Sequence, residues 1–189
     1  MSILKIARMG HPILAGVAAP VRDPTAPEIK RLVQDMIETM EDASGAGLAA
    51  PQVHVPLRLV VFQAPAGRTD AKLLESEAFD HTAPLTVLIN PVIEVVDAAP
   101  EGGWEGCLSV PGMRGWVERP RHIRYVGYDT EGKRILHTAK GFHARVVQHE
   151  CDHIDGVLYP QRMRDLSRLI FESEMRHWLE ANEAQKAAQ

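Results

Sequence analysis

The run Gln148-His149-Glu150-Cys151-Asp152-His153 decides how this chain folds. It contains HExxH, and on a helix positions i and i+4 lie one turn apart on the same side. The spacing predicts a helix over roughly Gly141–Asp152, with His149 and His153 turned toward one point where two imidazoles can share a metal ion. Glu150 can reach a water held by such an ion and act as its general base. A surface helix with two solvated histidines satisfies the same spacing, so the run needs support from elsewhere in the chain. Cys151 lies about 200° around the helix from His149 and is expected to fill core. Asp152 either braces the helix against a basic side chain or lies in solvent.

Support comes from Glu105-Gly106-Cys107-Leu108-Ser109 and from Gly45-Ala46-Gly47-Leu48-Ala49-Ala50-Pro51-Gln52. With two imidazoles, Cys107 would make three protein ligands and leave a position for water. That donor set suits zinc, cobalt or ferrous iron. A lone cysteine is as well explained as a small buried apolar residue. Gly106 and Gly47 permit close approach of the backbone, to a metal and to a substrate respectively. The 45–52 stretch lacks the Lys and Ser/Thr of a phosphate loop. It reads as a helix C-cap and turn that also delivers the Gln52 amide, a suitable donor to an oxyanion.

In order, the three stretches match GxGLAAxQ, EGCLS and QHExDH, and through them the chain resembles the peptide deformylases from its N-terminal segment to about Met163. The resemblance implies Cys107, His149 and His153 as metal ligands. It implies Fe2+ as the native ion, with Zn2+, Ni2+ or Co2+ able to substitute. It implies Glu150 as the catalytic acid and base, with Gln52 and the Leu108 backbone N–H as the oxyanion site. The substrate cleft is expected to use Gly45, Ala46, Gly47, Gly106 and Arg114. Arg145, one turn before His149, is expected to line the methionine pocket with Phe142 and Val146, its stem in the wall and its head toward solvent. The implied reaction removes the formyl group from N-formylmethionine of nascent polypeptides and releases formate. Two other readings compete. An HExxH metalloprotease would need a downstream glutamate or histidine as third ligand. A deformylase-like protein of weak catalysis would serve only to bind peptide or metal.

The 189 residues, 45% hydrophobic and 24% charged, suit one domain with a substantial core. A net charge of −4 gives no nucleic-acid signature, and direct DNA binding is not expected. No apolar run approaches the roughly 20 residues of a membrane span. The expected compartment is the cytoplasm. Strands are expected at Leu57–Phe62, Leu85–Ile89 and Val92–Val96, the last two separated by a break at Asn90-Pro91. A hairpin is expected from His122–Tyr128 to Lys133–Thr138. The apolar stripe Ile29, Leu32, Val33, Met36, Ile37, Met40 predicts an N-terminal helix, and the long 64–83 connection suggests a short helix near Lys72–Phe79. Without βαβ alternation, the class is α+β. The resemblance adds antiparallel β-sheets wrapped around a central HExxH helix.

Beyond a 1–163 core, residues 165–185 read as a final helix with Leu166, Leu169, Ile170 and Trp178 on its apolar side. Residues 165–189 carry three positive and five negative side chains. RNA docking needs clustered cations, so this segment is expected to pack on the domain or form a homodimer and to contact ribosomes weakly.

Overall fold

The computed structural model of the chain describes residues 2–68 and 80–187. Its strands are β1 (Gly47–Ala49), β2 (Leu59–Ala64), β3 (Ala83–Cys107), β4 (Val110–Tyr128), β5 (Arg134–Lys140) and β6 (Leu169–Phe171). Its helices are α1 (Pro27–Asp42), α2 (Gly141–Ile154) and α3 (Met175–Ala187). The strands pair antiparallel in the order β1-β2-β3-β4-β5, with β6 added to β4. The class is therefore α+β, and the strands of the described residues form one six-stranded sheet where several were expected.

The layering follows from β2. Apart from Gln63 its residues are apolar on both faces, the pattern of a strand covered twice. Val60, Phe62 and Ala64 pack with Val146, Val147 and Ile154 of α2. Leu59 and Val61 point the other way, toward Ile29, Val33, Met36 and Met40 of α1. The α1 stripe read from the sequence is thus its core face, and Pro27 stands in its first turn. Every residue of α2 from His143 to Ile154 is buried, so this helix has no solvated side.

Three expectations need correction. The break at Asn90-Pro91 is a bulge within one long strand, where pairing shifts between Ile89 and Val92. Asn90 takes the left-handed conformation (φ 52°), and its side-chain amide bonds the Val21 backbone N–H and carbonyl, each at 2.9 Å. A proline is tolerated at such a bulge because it has no ladder hydrogen bond to donate. The residue after the α1 C-cap with positive φ is Ser44 (φ 53°), not a glycine. Finally, residues 165–174 are not α-helical. Leu166–Arg168 and Glu172–Glu174 are single 3-10 turns flanking β6, and α3 begins only at Met175. Leu166 is 66% exposed, so it shares no buried stripe with Trp178. The helix expected near Lys72–Phe79 lies outside the described residues.

The N-terminal arm braces the loops around the cleft. Ala7 N–H donates to the Gln52 carbonyl (2.7 Å) and Met9 N–H to the Ser109 carbonyl (2.8 Å). Thr39 Oγ1 anchors the arm to α1 by accepting from Leu4 N–H at 2.9 Å.

His143 of α2 is fully buried. Its Nδ1 donates to the Asp80 carbonyl (2.9 Å), and its Nε2 accepts from the Tyr125 hydroxyl (3.1 Å). Burial pushes its pKa down to about 4, against about 6.5 for the unfolded side chain. Between those values the unfolded chain binds the extra proton. This contribution to stability is therefore complete above pH 6.5 and is lost as pH falls toward 4. The imidazole of His143 is expected to titrate near pH 4 by NMR; a midpoint near 6.5 would contradict this packing.

Candidate active site

β3 ends at Cys107, and the two-residue turn Leu108-Ser109 starts β4. That turn aims the Ser109 N–H at Cys107 Sγ (3.4 Å). Helix α2 presents His153 Nε2 to the same sulfur at 3.3 Å. Donor atoms of Cys107, His149 and His153 all lie within 4.8 Å of one another, the one such cluster found among the described residues. The three side chains that spacing and resemblance singled out thus converge.

Glu105, two residues before Cys107, organises the surroundings. Its Oε2 accepts from His149 Nδ1 at 2.8 Å, which leaves Nε2 as that ring's free donor atom. Arg119 forks onto it, Nε to Oε1 (2.7 Å) and Nη2 to Oε2 (2.9 Å), and Arg145 Nη1 adds a bond to Oε1 (2.8 Å). Burial would raise the Glu105 pKa, but Arg119 and His149 hold it well below the usual carboxylate range. Arg119 also donates to Asp152 (2.9 Å), which receives Arg162 as well (2.7 Å). Asp152 therefore braces α2 against β4. No spacing announces Arg119, which the sequence leaves among several arginines expected on solvated strand faces; the structure buries it. Sequence reading also passed over Glu105, although Glu105 opens one of the motifs.

Gln52 is buried. Its Oε1 accepts from Ala49 N–H (2.8 Å), which turns Nε2 toward Ser109 Oγ (3.0 Å) and Cys107 Sγ (3.5 Å). A fixed amide donor thus stands beside the thiol. Glu150 is 4% exposed, and its Oε2 has no hydrogen-bond partner. Burial pushes its pKa up to about 7. A Cβ on Gly47 would fall 2.3 Å from Glu150 Oε1, so the glycine makes room for this carboxyl, a use the sequence did not disclose. Gly106 likewise makes room for Arg114, whose Nη1 would lie 2.2 Å from an added Cβ. Cys151 is buried in the core cluster as expected, and burial pushes its thiol pKa up.

A cleft of about 460 Å³ opens over these groups. Gly45, Ala46, Gly47, Gly106, Leu108, Arg114, Phe142, Arg145 and Val146 all contribute to its lining. The expected solvent-reaching head of Arg145 is a correction. The side chain is buried, and Nη1 and Nη2 are bound to the Val117 carbonyl (2.9 Å) and the Glu101 carbonyl (2.6 Å). Gly103 creates the space, since its Cβ would lie 2.9 Å from the guanidinium carbon.

A thiol, two imidazoles and a buried carboxyl at the foot of one cleft define a hydrolase of the divalent-metal class. Residues 3–169 match the family model described as polypeptide deformylase. "Peptide deformylase 2" of Bordetella bronchiseptica is 55% identical over 163 residues, covering 86% of this chain and 89% of that protein. "Peptide deformylase 2" of Ralstonia nicotianae is 51% identical over 169 residues, covering 89% and 92%. Among solved structures, the peptide deformylase of Ehrlichia chaffeensis in complex with actinonin has a TM-score of 0.77 at 34% identity, covering 89% of this chain and 92% of that one. A Met-Ala-Ser-bound class I type b peptide deformylase from Acinetobacter baumannii has 0.74 at 32%, covering 86% and 99%. The chain belongs to the polypeptide deformylase family. It is an enzyme that removes the formyl group from N-formylmethionine of nascent polypeptides, releasing formate, and the protease and weak-binder readings fall away.

Glu105→Gln would leave Arg119 and Arg145 facing a neutral amide in a buried site. Loss of one partner from such a network costs about 3–5 kcal/mol. Urea unfolding is expected to show a destabilisation of that size; an unchanged midpoint would mean that Glu105 does not hold the two guanidinium groups.

Proposed function

We propose that Cys107, His149 and His153 hold one divalent ion, natively Fe2+ and replaceable by Zn2+, Ni2+ or Co2+, and that Glu150, Gln52 and the Leu108 N–H carry the deformylation. The observation that carries this reading is the meeting of one thiol and two imidazoles beside a buried carboxyl with an unpartnered oxygen. The donor set fits a soft to borderline ion. With Nδ1 given to Glu105, His149 can offer only Nε2. When bound, the ion acidifies a water and polarises the formyl carbonyl.

The protein's own groups do the rest. Glu150, a buried carboxyl with an unpartnered oxygen, takes the proton of the attacking water and returns it to the departing amine. Gln52 Nε2 and the Leu108 N–H donate to the carbonyl oxygen as it gains negative charge. One such donor is worth about 2.7–4 kcal/mol. Phe142, Val146 and the pinned stem of Arg145 receive the methionine side chain, while Gly45, Ala46 and Gly47 border the peptide path. The Met-Ala-Ser-bound relative supports a short peptide as occupant of this cleft.

The enzyme is proposed to act in the cytoplasm. Both cysteines are free, as suits a reducing compartment. No helix among the described residues is long and apolar enough to cross a membrane. The excess of acidic side chains in residues 165–189 supports a weak or transient ribosome contact, with a homodimer left as the use of any apolar face there. Cosedimentation with vacant ribosomes at low salt is expected to stay weak; strong, salt-sensitive binding lost on removal of residues 175–189 would contradict this.

Formate release from formyl-Met-Ala-Ser tests the site assignment. Iron-loaded protein is expected to turn over. Glu150→Gln is expected to keep the metal and lose at least about 10²-fold in kcat. Cys107→Ala is expected to lose the metal by elemental analysis. A metal-replete Glu150→Gln with near-normal turnover, or full occupancy in Cys107→Ala, would overturn the corresponding role.

A further inference from the structure

The family match ends at residue 169, yet the chain beyond it reaches the cleft. β6 pairs Leu169, Ile170 and Phe171 with Gly115, Arg114 and Met113 of β4. The Arg168 guanidinium lies 4.0 Å from the Trp116 ring and 5.6 Å from that of Trp178. Trp178, on α3, meets Trp104 edge-on at 5.0 Å, and Trp104 itself lines the cleft. Together, a strand ladder, a cation over aromatic faces and an aromatic pair hold residues 168–178 against the β3–β4 hairpin. The next residue after β6 is Glu172, and it too lines the cleft.

Glu172 Oε1 accepts from Arg114 Nη2 (2.6 Å) and Nε (3.2 Å). The pair is open to solvent, with 38% of the Arg114 side chain and 55% of the Glu172 side chain exposed. Arg114 lies across Gly106, one residue from Cys107. A peptide with its formyl end at Cys107 and Glu150 and its first side chain near Phe142 and Val146 occupies a cleft whose lining also includes Arg114 and Glu172. Without Glu172, that lining would present a bare guanidinium to the residues after methionine. With it, the cation is neutralised, and an anionic side chain arriving there meets a carboxylate already in place.

We propose that Glu172, supplied from beyond the family match, is a specificity-determining residue that masks Arg114 and disfavours acidic residues downstream of the formyl-methionine. The inference rests on the deformylase reading of the cleft. It assigns Glu172 no part in the chemical step.

The test compares Met-Ala-Glu amide with Met-Ala-Lys amide by calorimetric binding, and their formylated forms by formate release. Glu172→Gln is expected to shift the Glu-to-Lys ratio toward the acidic peptide by about threefold to fivefold, the range of a half-exposed ion pair. In the double variant Arg114→Gln, Glu172→Gln the shift is expected to disappear, because the unmasked cation is gone. A ratio unmoved by Glu172→Gln, or a shift that persists in the double variant, would overturn the proposal. If the amides bind and the formylated forms release no formate, the deformylase reading fails instead, and the binding ratio still decides the role of Glu172.

Discussion

The structure depends on one buried carboxylate. Glu105 is met by Arg119, Arg145 and His149 at hydrogen-bonding distance. Each comes from a different place: Arg119 from β4, Arg145 and His149 from successive turns of α2. A buried charge is tolerated only when its partners satisfy it, and here satisfying it docks the helix on the hairpin. The same contact fixes which nitrogen of His149 carries its hydrogen. Sheet–helix packing and the preparation of a proposed metal ligand are therefore one interaction. Arg119 extends it to Asp152, and Asp152 to Arg162 in the turn that follows.

The glycines of the motifs make sense in this frame. Gly47, Gly103 and Gly106 each stand where a methyl group would collide with a charged side chain: Glu150, Arg145 and Arg114 respectively. The sequence suggested that Gly47 and Gly106 admit substrate and metal to the backbone. In the structure these glycines also admit the enzyme's own polar groups, which border the cleft. This accounts for a cleft with charged walls inside an otherwise apolar core.

Much of the site was legible because its spacing is local. His149 and His153 are one helical turn apart, and Glu150 is fixed by the same helix. Cys107 and Gln52 needed family motifs, since nothing local says that a strand end and a 3-10 turn will meet α2. The sequence leaves Arg119 among arginines of a solvated strand face and Glu172 as one acid of the C-terminal segment, because each acts across a long-range pairing that periodicity does not encode. The C-terminal segment was misread for a related reason. Leu166, Leu169 and Ile170 satisfy helical spacing, yet Leu169–Phe171 pairs with Met113–Gly115. Strand pairing overrode local pattern there, just as β3 runs on past the bulge at Asn90-Pro91.

The proposed role of Glu105 is to set the state of His149, so that its Nδ1 stays protonated and only Nε2 is free to bind metal. A long-range proton–nitrogen NMR correlation on 15N-histidine protein loaded with zinc reads this state. A His149 Nδ1 that carries a proton and an Nε2 with the shift of a metal-bound nitrogen are expected, the pattern of a ligand oriented by a carboxylate. A metal-shifted Nδ1, or a His149 ring with both nitrogens protonated in the loaded protein, would contradict that role.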